Sequence, residues 1–247
     1  MPKYFFDPLT ITGGTVSLGG DIAHHLANVL RKTPGDEIIL CDGTGLDYIM
    51  EIKTIEAPAR KPPAILLQVV STYKCETELP VAITLYQGLP KGDKLELIVQ
   101  KAVELGVSEI VPVETLHAVA KHKRENKADR YQRIAEAAAG QSMRGIVPIV
   151  HPPMGFADAV ARMGIGATIV AYEREDQHSL AQALNKCGKC DRINLWVGPE
   201  GGFHKDEITK LENANAQVVS LGKRILRTET AAIALLAQVG FVVEGWQ

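Results

Sequence analysis

The 247-residue chain lacks the features that mark secreted and membrane proteins. Met1–Phe6 has neither the basic start nor the apolar run of a signal peptide. The longest apolar run, Ala231–Val243, is interrupted by Gln238 and Gly240 and is too short to cross a bilayer. The four cysteines suit a reduced compartment better than a disulfide scaffold. We therefore expect a cytoplasmic protein.

The chain also lacks an excess of charge of either sign, because 27 basic and 29 acidic residues give a formal net charge of −2. No global positive field therefore draws the chain towards nucleic acid, and RNA contacts must come from local patches. One candidate patch combines Arg31 and Lys32 with Lys3. Another runs from Lys121 to Arg133, although such a run is also typical of a solvated loop and helix face.

Metal and redox motifs are sparse. Cys187-Gly188-Lys189-Cys190 is a C-x-x-C, but no second C-x-x-C completes a zinc site, and the histidines show no ligand spacing. The pair follows a predicted helix and precedes a predicted strand, whereas a thioredoxin-like pair precedes a helix. This order favours a plain loop at a helix end, and we expect no metal.

The first seventy residues show short extended runs between turn residues. The turn Asp42–Gly45 separates two apolar stretches, which predicts a β-hairpin. One helix is predicted near Asp21–Leu30, with Ile22, Leu26, Val29 and Leu30 on one stripe. Residues 1–72 therefore resemble a small β-barrel domain.

After Pro80 the pattern changes to strands that alternate with helices. Such alternation predicts a mainly parallel sheet covered by helices on both faces, here over residues 78–247. Asp93 and Glu96 have the spacing of a capping box at one helix start. The predicted strands cover 81–86, 110–113, 167–172, 193–197 and 217–221, and the predicted helices begin at 93, 129, 179, 205 and 228.

Three loops follow predicted strands, where ligands of parallel sheets bind. They are Ala171–Glu173, Gly198–Phe203 and Leu221–Ala231. The glycine-rich second loop is neither G-x-G-x-x-G nor a P-loop. It suits a ligand that is bound by backbone groups at close approach, although a tight turn would use the same glycines. The third loop holds three cations, and Thr228 is its predicted helix N-cap.

These two late loops carry a specific resemblance. G-P-E-G-G-F followed by L-G-x-R-I-L-R-T-E-T-A resembles the signature of SPOUT-class methyltransferases, and more narrowly that of the bacterial 16S ribosomal RNA (uracil-N3) methyltransferase family. His24-His25-Leu26, Lys91-Gly92-Asp93-Lys94 and Gln141-Ser142-x-Arg144 also match, so the resemblance covers almost the whole chain. Two positions depart from the family pattern: His117 and Lys3 stand where arginine is common.

The resemblance implies an N-terminal PUA-like barrel, an α/β domain with a trefoil knot, a homodimer, S-adenosylmethionine as cofactor, and methylation of a uridine at N3 in 16S rRNA or the small ribosomal subunit. The implied cofactor-binding residues are Tyr172, Glu173, Val197, Gly198, Pro199, Glu200, Gly202, Leu221, Gly222, Ile225, Leu226, Arg227, Thr230 and Ala231. The candidate RNA-binding residues are Lys3, Arg31, Lys32, Lys121, Lys123, Arg124, Arg144, Lys223 and Arg224.

The chemistry of this reaction suggests catalytic roles. Uracil N3 is a poor nucleophile while it is protonated, so an enzyme must favour loss of that proton and stabilise the resulting negative charge. A guanidinium is planar, always charged and a multiple donor, which suits Arg227 to this role. Glu200 or Glu229 is the candidate base or the residue that orients Arg227.

Other functions stay open at this stage. A ribose 2′-O-methyltransferase of the same class would share the cofactor loops, and mass mapping of the modified nucleoside separates the two. A non-catalytic RNA-binding assembly protein would fail to bind S-adenosylmethionine. A metal or redox protein built on the C-x-x-C would contain zinc or lose activity on alkylation.

Overall fold

The computed structural model describes residues 3–56, 62–118, 128–164 and 166–245. The chain forms two compact units, the first of Met1–Glu78 with Ala139–Val147, the second of Leu79–Ala138 with Pro148–Gln247. These units differ from the predicted domains, 1–72 and 78–247, in two respects. The last strand of the first unit runs past residue 72, and the segment 139–147 returns to the first unit.

The first unit is built on a five-stranded sheet in the order β1-β3-β4-β5-β2. Neighbouring strands are antiparallel except for β1 and β3, and Leu40 opposite Tyr48 confirms the predicted hairpin. Two register shifts between β4 and β5 bend this pair, as bulges do. The strands are β1 (Tyr4–Phe5), β2 (Thr15–Leu18), β3 (Glu37–Cys41), β4 (Leu46–Glu56) and β5 (Ala64–Lys74).

One helical segment, α1 (Gly20–His24), covers the core of this sheet and continues as a π-helical turn over His25–Val29. Ala23 and Leu26 are fully buried in that core. Val29 and Leu30 are exposed, so the predicted stripe is wrong for its last two members. The wider π turn rotates the end of the segment away from the direction that a regular helix would give.

Two cations that we predicted to contact RNA are instead buried within the first unit. Lys3 is 4% exposed, and its Nζ lies 2.5 Å from Asp47 Oδ2. Burial alone would lower the pKa of Lys3, but the hydrogen bond to Asp47 raises it above its usual value. Arg144 is 3% exposed and pairs with Glu78. Neither side chain offers a phosphate an exposed charge, so the prediction is wrong for both.

The second unit is built on a seven-stranded sheet whose described pairings are all parallel, which confirms the predicted α/β class. The order is β12-β10-β11-β6-β7-β8, with β9 also on β7. The strands are β6 (Ala82–Gly88), β7 (Glu109–Glu114), β8 (Ile149–Val150), β9 (Met154–Gly155), β10 (Ala167–Ala171), β11 (Arg192–Val197) and β12 (Gln217–Val219).

Six helices are described after the first unit's helix: α2 (Lys94–Glu104), α3 (Ala128–Gln141), α4 (Phe156–Arg162), α5 (Leu180–Cys187), α6 (Lys205–Asn213) and α7 (Thr228–Glu244). The predicted capping box at the start of α2 is wrong. Asp93 makes no side-chain cap bond, and Glu96 binds Arg130 at 2.7 Å instead. Ser179 with Gln182 forms the capping box of α5, which sequence reasoning missed.

The C-x-x-C lies at the end of α5, as predicted, because Cys187 is the last helical residue and Gly188 follows at φ +60°. Burial raises the pKa of the Cys187 thiol, which disfavours the reactive thiolate. Within the described ranges no three potential ligands cluster to hold a metal ion. None of the described helices is long and apolar enough to span a bilayer.

Candidate active site

Three loops meet at the carboxyl edge of the second sheet, where the sequence placed them. They follow β10, β11 and β12, which are adjacent or separated by one strand. Together they enclose a cavity of about 440 Å³, within the range of small-molecule sites. Its lining is Lys94, Ala171, Tyr172, Glu173, Val197, Gly198, Pro199, Glu200, Gly201, Gly202, Ser220, Leu221, Gly222, Lys223, Arg224, Ile225, Leu226, Arg227, Thr228 and Ala231.

Every residue of the predicted cofactor set lines this cavity except Thr230. That residue is exposed on the first turn of α7 and lies outside the lining, so its contact with a cofactor stays a prediction. Lys223 and Arg224, which we assigned to RNA, also border the cavity. Sequence reasoning missed Lys94, which arrives from α2 more than a hundred residues before the glycine-rich loop.

Close backbone approach explains the glycines of the second loop. Gly202 has φ +66°, and a Cβ there would lie 2.5 Å from Glu173 Oε1. A Cβ on Gly198 would lie 3.1 Å from backbone atoms of Gly202, so the loop folds tightly on itself. The left-handed φ of Gly202 and the tight contact at Gly198 disfavour larger residues, so at these two positions the loop presents backbone.

Lys94, which lines the cavity, pairs with two carboxylates: Glu200, which also lines the cavity, and Glu229, which lies outside the lining. Its Nζ lies 2.7 Å from Glu200 Oε1 and 3.8 Å from Glu229 Oε2. Burial would raise the pKa of the Glu200 carboxyl, but hydrogen bonds from Lys94 and the Lys91 backbone N–H lower it below its usual value. Glu200 is therefore held ionised and is a weak proton acceptor.

The start of α7 differs from the prediction. Arg227, with extended backbone at φ −65° and ψ 154°, is the N-cap residue, and Thr228 is the first helical residue. The Thr228 hydroxyl does not cap the helix, because it donates to Gly198 O at 2.6 Å. Arg227 is exposed at the cavity edge, two residues before Glu229.

Comparison with known families decides what kind of protein has this site. Residues 77–240 match the RNA methyltransferase domain, and residues 18–57 match the RNA methyltransferase PUA domain. The chain is 33% identical over 238 residues to ribosomal RNA small subunit methyltransferase E of Bacillus subtilis, covering 93% of this chain and 91% of that protein. The chain belongs to this methyltransferase E family.

Other relatives and solved structures support the same assignment. The protein of that name from Synechocystis is 34% identical, covering 96% of this chain and 76% of its own. The Neisseria gonorrhoeae enzyme, solved bound to S-adenosyl methionine, superposes with a TM-score of 0.87 at 32% identity over 98% of both chains. A Legionella pneumophila protein in complex with bound SAM gives 0.84 at 25% identity over 97% of both. The predicted family and PUA-like unit are confirmed, whereas the trefoil knot stays a prediction.

Of the remaining cations predicted to contact RNA in this methyltransferase E chain, two lie in the described part of the first unit. Arg31 is exposed and has φ +51°. Lys32 is half-buried, with Nζ 3.4 Å from Glu37 O. The predictions for Lys121, Lys123 and Arg124 lie outside the described residues.

His117, where this methyltransferase E chain departs from the expected arginine, contacts the glycine-rich loop. Its Nδ1 lies 3.0 Å from Gly201 O and 3.3 Å from Gly202 O. Because carbonyls only accept hydrogen bonds, Nδ1 carries the proton in this arrangement. The neighbouring N–H of Leu116 donates to the buried Glu207, whose other oxygen accepts from His204 N. The segment with Leu116 and His117 therefore holds the glycine-rich loop in place from outside the cavity.

Proposed function

We propose that this chain transfers a methyl group from S-adenosylmethionine to N3 of a uridine in the 16S rRNA of the small ribosomal subunit. One observation supports this most: the two loops that carry the family's motifs enclose, together with the loop after β10, one cavity of cofactor size. Relatives over nearly the whole chain carry the name ribosomal RNA small subunit methyltransferase E. The uracil-N3 position rests on the resemblance of the motifs.

The cavity suits such a cofactor in shape and in chemistry. Its wall near Gly198 and Gly202 is backbone, where a flat adenine or a methionine chain approaches closely. Leu221, Gly222 and Ile225 would hold the base through backbone groups on the opposite side. Glu173, the lining carboxylate that does not pair with Lys94, would attract the positive charge of a sulfonium or an ammonium. When it is bound, the cofactor supplies an electrophilic methyl group for in-line displacement.

The chain's own residues then have to handle the N3 proton and the charge that it leaves. Arg227 would stabilise the negative charge that spreads onto the uracil oxygens. Of the two candidates we assign the base role to Glu229, because Lys94 and backbone N–H groups hold Glu200 ionised with a lowered pKa. Glu229 is farther from Lys94, and its Oε2 accepts no hydrogen bond within the described residues.

The direct test is incubation of the protein with labelled S-adenosylmethionine and either 16S rRNA or small subunits, followed by nucleoside digestion and mass spectrometry. We expect 3-methyluridine. A 2′-O-methyl nucleoside would move the chain to the ribose-modifying enzymes. Cofactor binding without any methylated product on either substrate would favour a non-catalytic assembly protein, and the absence of cofactor binding would refute the proposal.

The Lys94→Met variant tests the electrostatics of the site through its pH profile. In the wild type the lowered pKa keeps Glu200 ionised as the pH falls through the usual carboxyl range. Without the ammonium, Glu200 faces Glu229 unscreened, and we expect its pKa to rise. The acid limb of kcat/KM should therefore move to higher pH. The half-buried pair Lys101–Glu104 on the same helix, outside the cavity lining, offers a control, Lys101→Met, whose profile should match the wild type.

A homodimer is also part of this proposal. Phe241 on α7 is 81% exposed, and Ala237 one turn earlier is exposed beside it. The dimer rests on the resemblance of the motifs, and we choose the exposed ring of Phe241 as the position at which to test it. Sedimentation should give a dimer for the wild type and a monomer for Phe241→Glu. A monomeric wild type at working concentrations would contradict this assignment.

Lys223 and Arg224 are the described cations that we propose for phosphate contacts, because both are exposed at the cavity where the target base must enter. Contacts of this kind add affinity but no sequence information. An RNA substrate of the small ribosomal subunit would place the activity in the cytoplasm.

A further inference from the structure

A buried chain of hydrogen bonds lies behind the cavity. Gln87, near the end of β6, is fully buried, and its Nε2 lies 2.9 Å from Gly88 O and 2.9 Å from Thr228 Oγ1. The Thr228 hydroxyl in turn lies 2.6 Å from Gly198 O. Carbonyl oxygens only accept, so the hydroxyl donates to Gly198 and accepts from the Gln87 amide. Bonds linked in this way polarise and strengthen one another.

This chain of bonds joins both walls of the cavity through a single amide. Gly198 is the first residue of the glycine-rich loop, and Thr228 immediately follows the basic loop at the start of α7. Gln87 lies 141 residues from Thr228 in sequence and belongs to a third strand, between β11 and β7. Anchoring both loops to one rigid strand fixes the distance between them.

We propose that Gln87 and Thr228 are positioning residues that hold the glycine-rich loop and the basic loop at the spacing that S-adenosylmethionine requires. This inference rests on the proposed function. Gln87 is outside the cavity lining, so it acts only through the groups that it holds. Its Oε1 accepts no hydrogen bond within the described residues, so the amide acts through the N–H groups of Nε2.

A second buried amide–hydroxyl pair in the same sheet provides a matched control. Asn194 Nδ2 lies 3.3 Å from Thr168 Oγ1, both residues are at most 5% exposed, and Asn194 Oδ1 likewise accepts no bond within the described residues. Both residues lie near the first residues of β11 and β10, at the opposite end of the strands from the three loops. Removal of this bond should cost stability without moving the cavity.

The experiment compares Thr228→Val with Thr168→Val, each of which replaces a hydroxyl by a methyl group of similar size. Thr228→Val should raise the Kd for S-adenosylmethionine and for its demethylated product about tenfold in calorimetry, the size expected for a lost buried hydrogen bond. Thr228→Ser keeps the hydroxyl and should restore wild-type affinity. Thr168→Val should lower Tm by a similar amount to Thr228→Val but leave the Kd unchanged.

Hydrogen exchange of the ligand-free protein provides a readout that needs no cofactor. Backbone amides of Gly201, Gly202 and Leu226 should exchange faster in Thr228→Val and in Gln87→Met, but not in Thr168→Val. Because both residues act through one chain of bonds, the Gln87→Met/Thr228→Val double variant should be no worse than the weaker-binding single variant.

Three results would overturn the inference: an unchanged Kd in Thr228→Val, an equal rise of Kd in Thr168→Val, or unchanged exchange of the loop amides. A different result would show that the proposed function is wrong. In that case the wild type itself would bind no cofactor, while the exchange of the three amides would still decide whether the pair holds the loops.

Discussion

Arg227→Ala is expected to lower kcat for methyl transfer by about 10²–10³-fold, the usual cost of removing one preorganised donor to developing charge. Arg227 is the N-cap residue of α7 and lines the same cavity as Glu200, the carboxylate that Lys94 binds. Its loss would leave the charge on the uracil oxygens without a fixed cation. Single-turnover methylation of small subunits, with cofactor binding measured separately by calorimetry, separates chemistry from binding.

Arg224→Ala is the matched control for this prediction. It removes a guanidinium from the same loop and the same cavity, three residues earlier. We expect a weaker and less salt-dependent affinity for RNA, with the single-turnover rate at saturating RNA retained. The catalytic assignment of Arg227 fails if Arg227→Ala turns over normally while it binds cofactor, or if the two variants behave alike.

Gly88→Ala is expected to weaken cofactor binding at least as strongly as the loss of the Thr228 hydroxyl. A Cβ at this position would lie 2.5 Å from Pro199 Cδ and 2.7 Å from Pro199 N. Backbone atoms cannot move aside as the tip of a flexible side chain does, so the glycine-rich loop must shift as a whole. Overpacking of this kind costs about 1–3 kcal/mol. Calorimetry with S-adenosylmethionine and a thermal melt measure both effects.

The backbone of Gly88 lies outside the left-handed region, so the effect would come from contact and not from φ. Gly164→Ala tests this point, because a Cβ there meets nothing within 4 Å and its φ is also ordinary. That variant should keep both Tm and Kd at wild-type values. Equal loss of affinity in the two variants would show that the close approach at Pro199 is unimportant.

The position of the cavity could be predicted because it depends on a rule of topology. Parallel strands place all their carboxyl ends at one edge, so loops that follow β10, β11 and β12 must be neighbours. The strand and helix patterns were strong enough to locate each of these loops. The glycines and the basic cluster then marked two of them as unusual.

Contacts between distant segments could not be predicted in this way. The bond between Gln87 and Thr228 spans 141 positions, and nothing in the local pattern of either segment indicates it. Thr228 has the residue type and the position of an N-cap, so the local rule assigned it there, yet its hydroxyl binds Gly198. Lys94 was missed for the same reason, since its partners Glu200 and Glu229 follow more than a hundred residues later.

The exposure of charged residues was a second source of error. Lys3 was assigned to RNA as part of a patch with Arg31 and Lys32, and Arg144 was among the candidate RNA-binding residues; both assignments need an exposed cation, which is the usual state of such residues. Each is buried beside one carboxylate, Asp47 or Glu78, that lies far away in sequence. Where burial of a charge depends on such a partner, only the three-dimensional arrangement reveals it.

The return of residues 139–147 to the first unit limits where the chain can be cut into fragments and how its two units can be recombined during evolution. Glu78 binds Arg144 and also accepts the N–H groups of Gly145 and Ile146, so the borrowed stretch is an integral piece of that unit. A cut near residue 78 would not yield two autonomous fragments. The amino-terminal fragment would lack residues 139–147, and the carboxy-terminal fragment would carry them without the unit to which they belong. Over evolutionary time the amino-terminal module could therefore not be added, lost or exchanged by one recombination event.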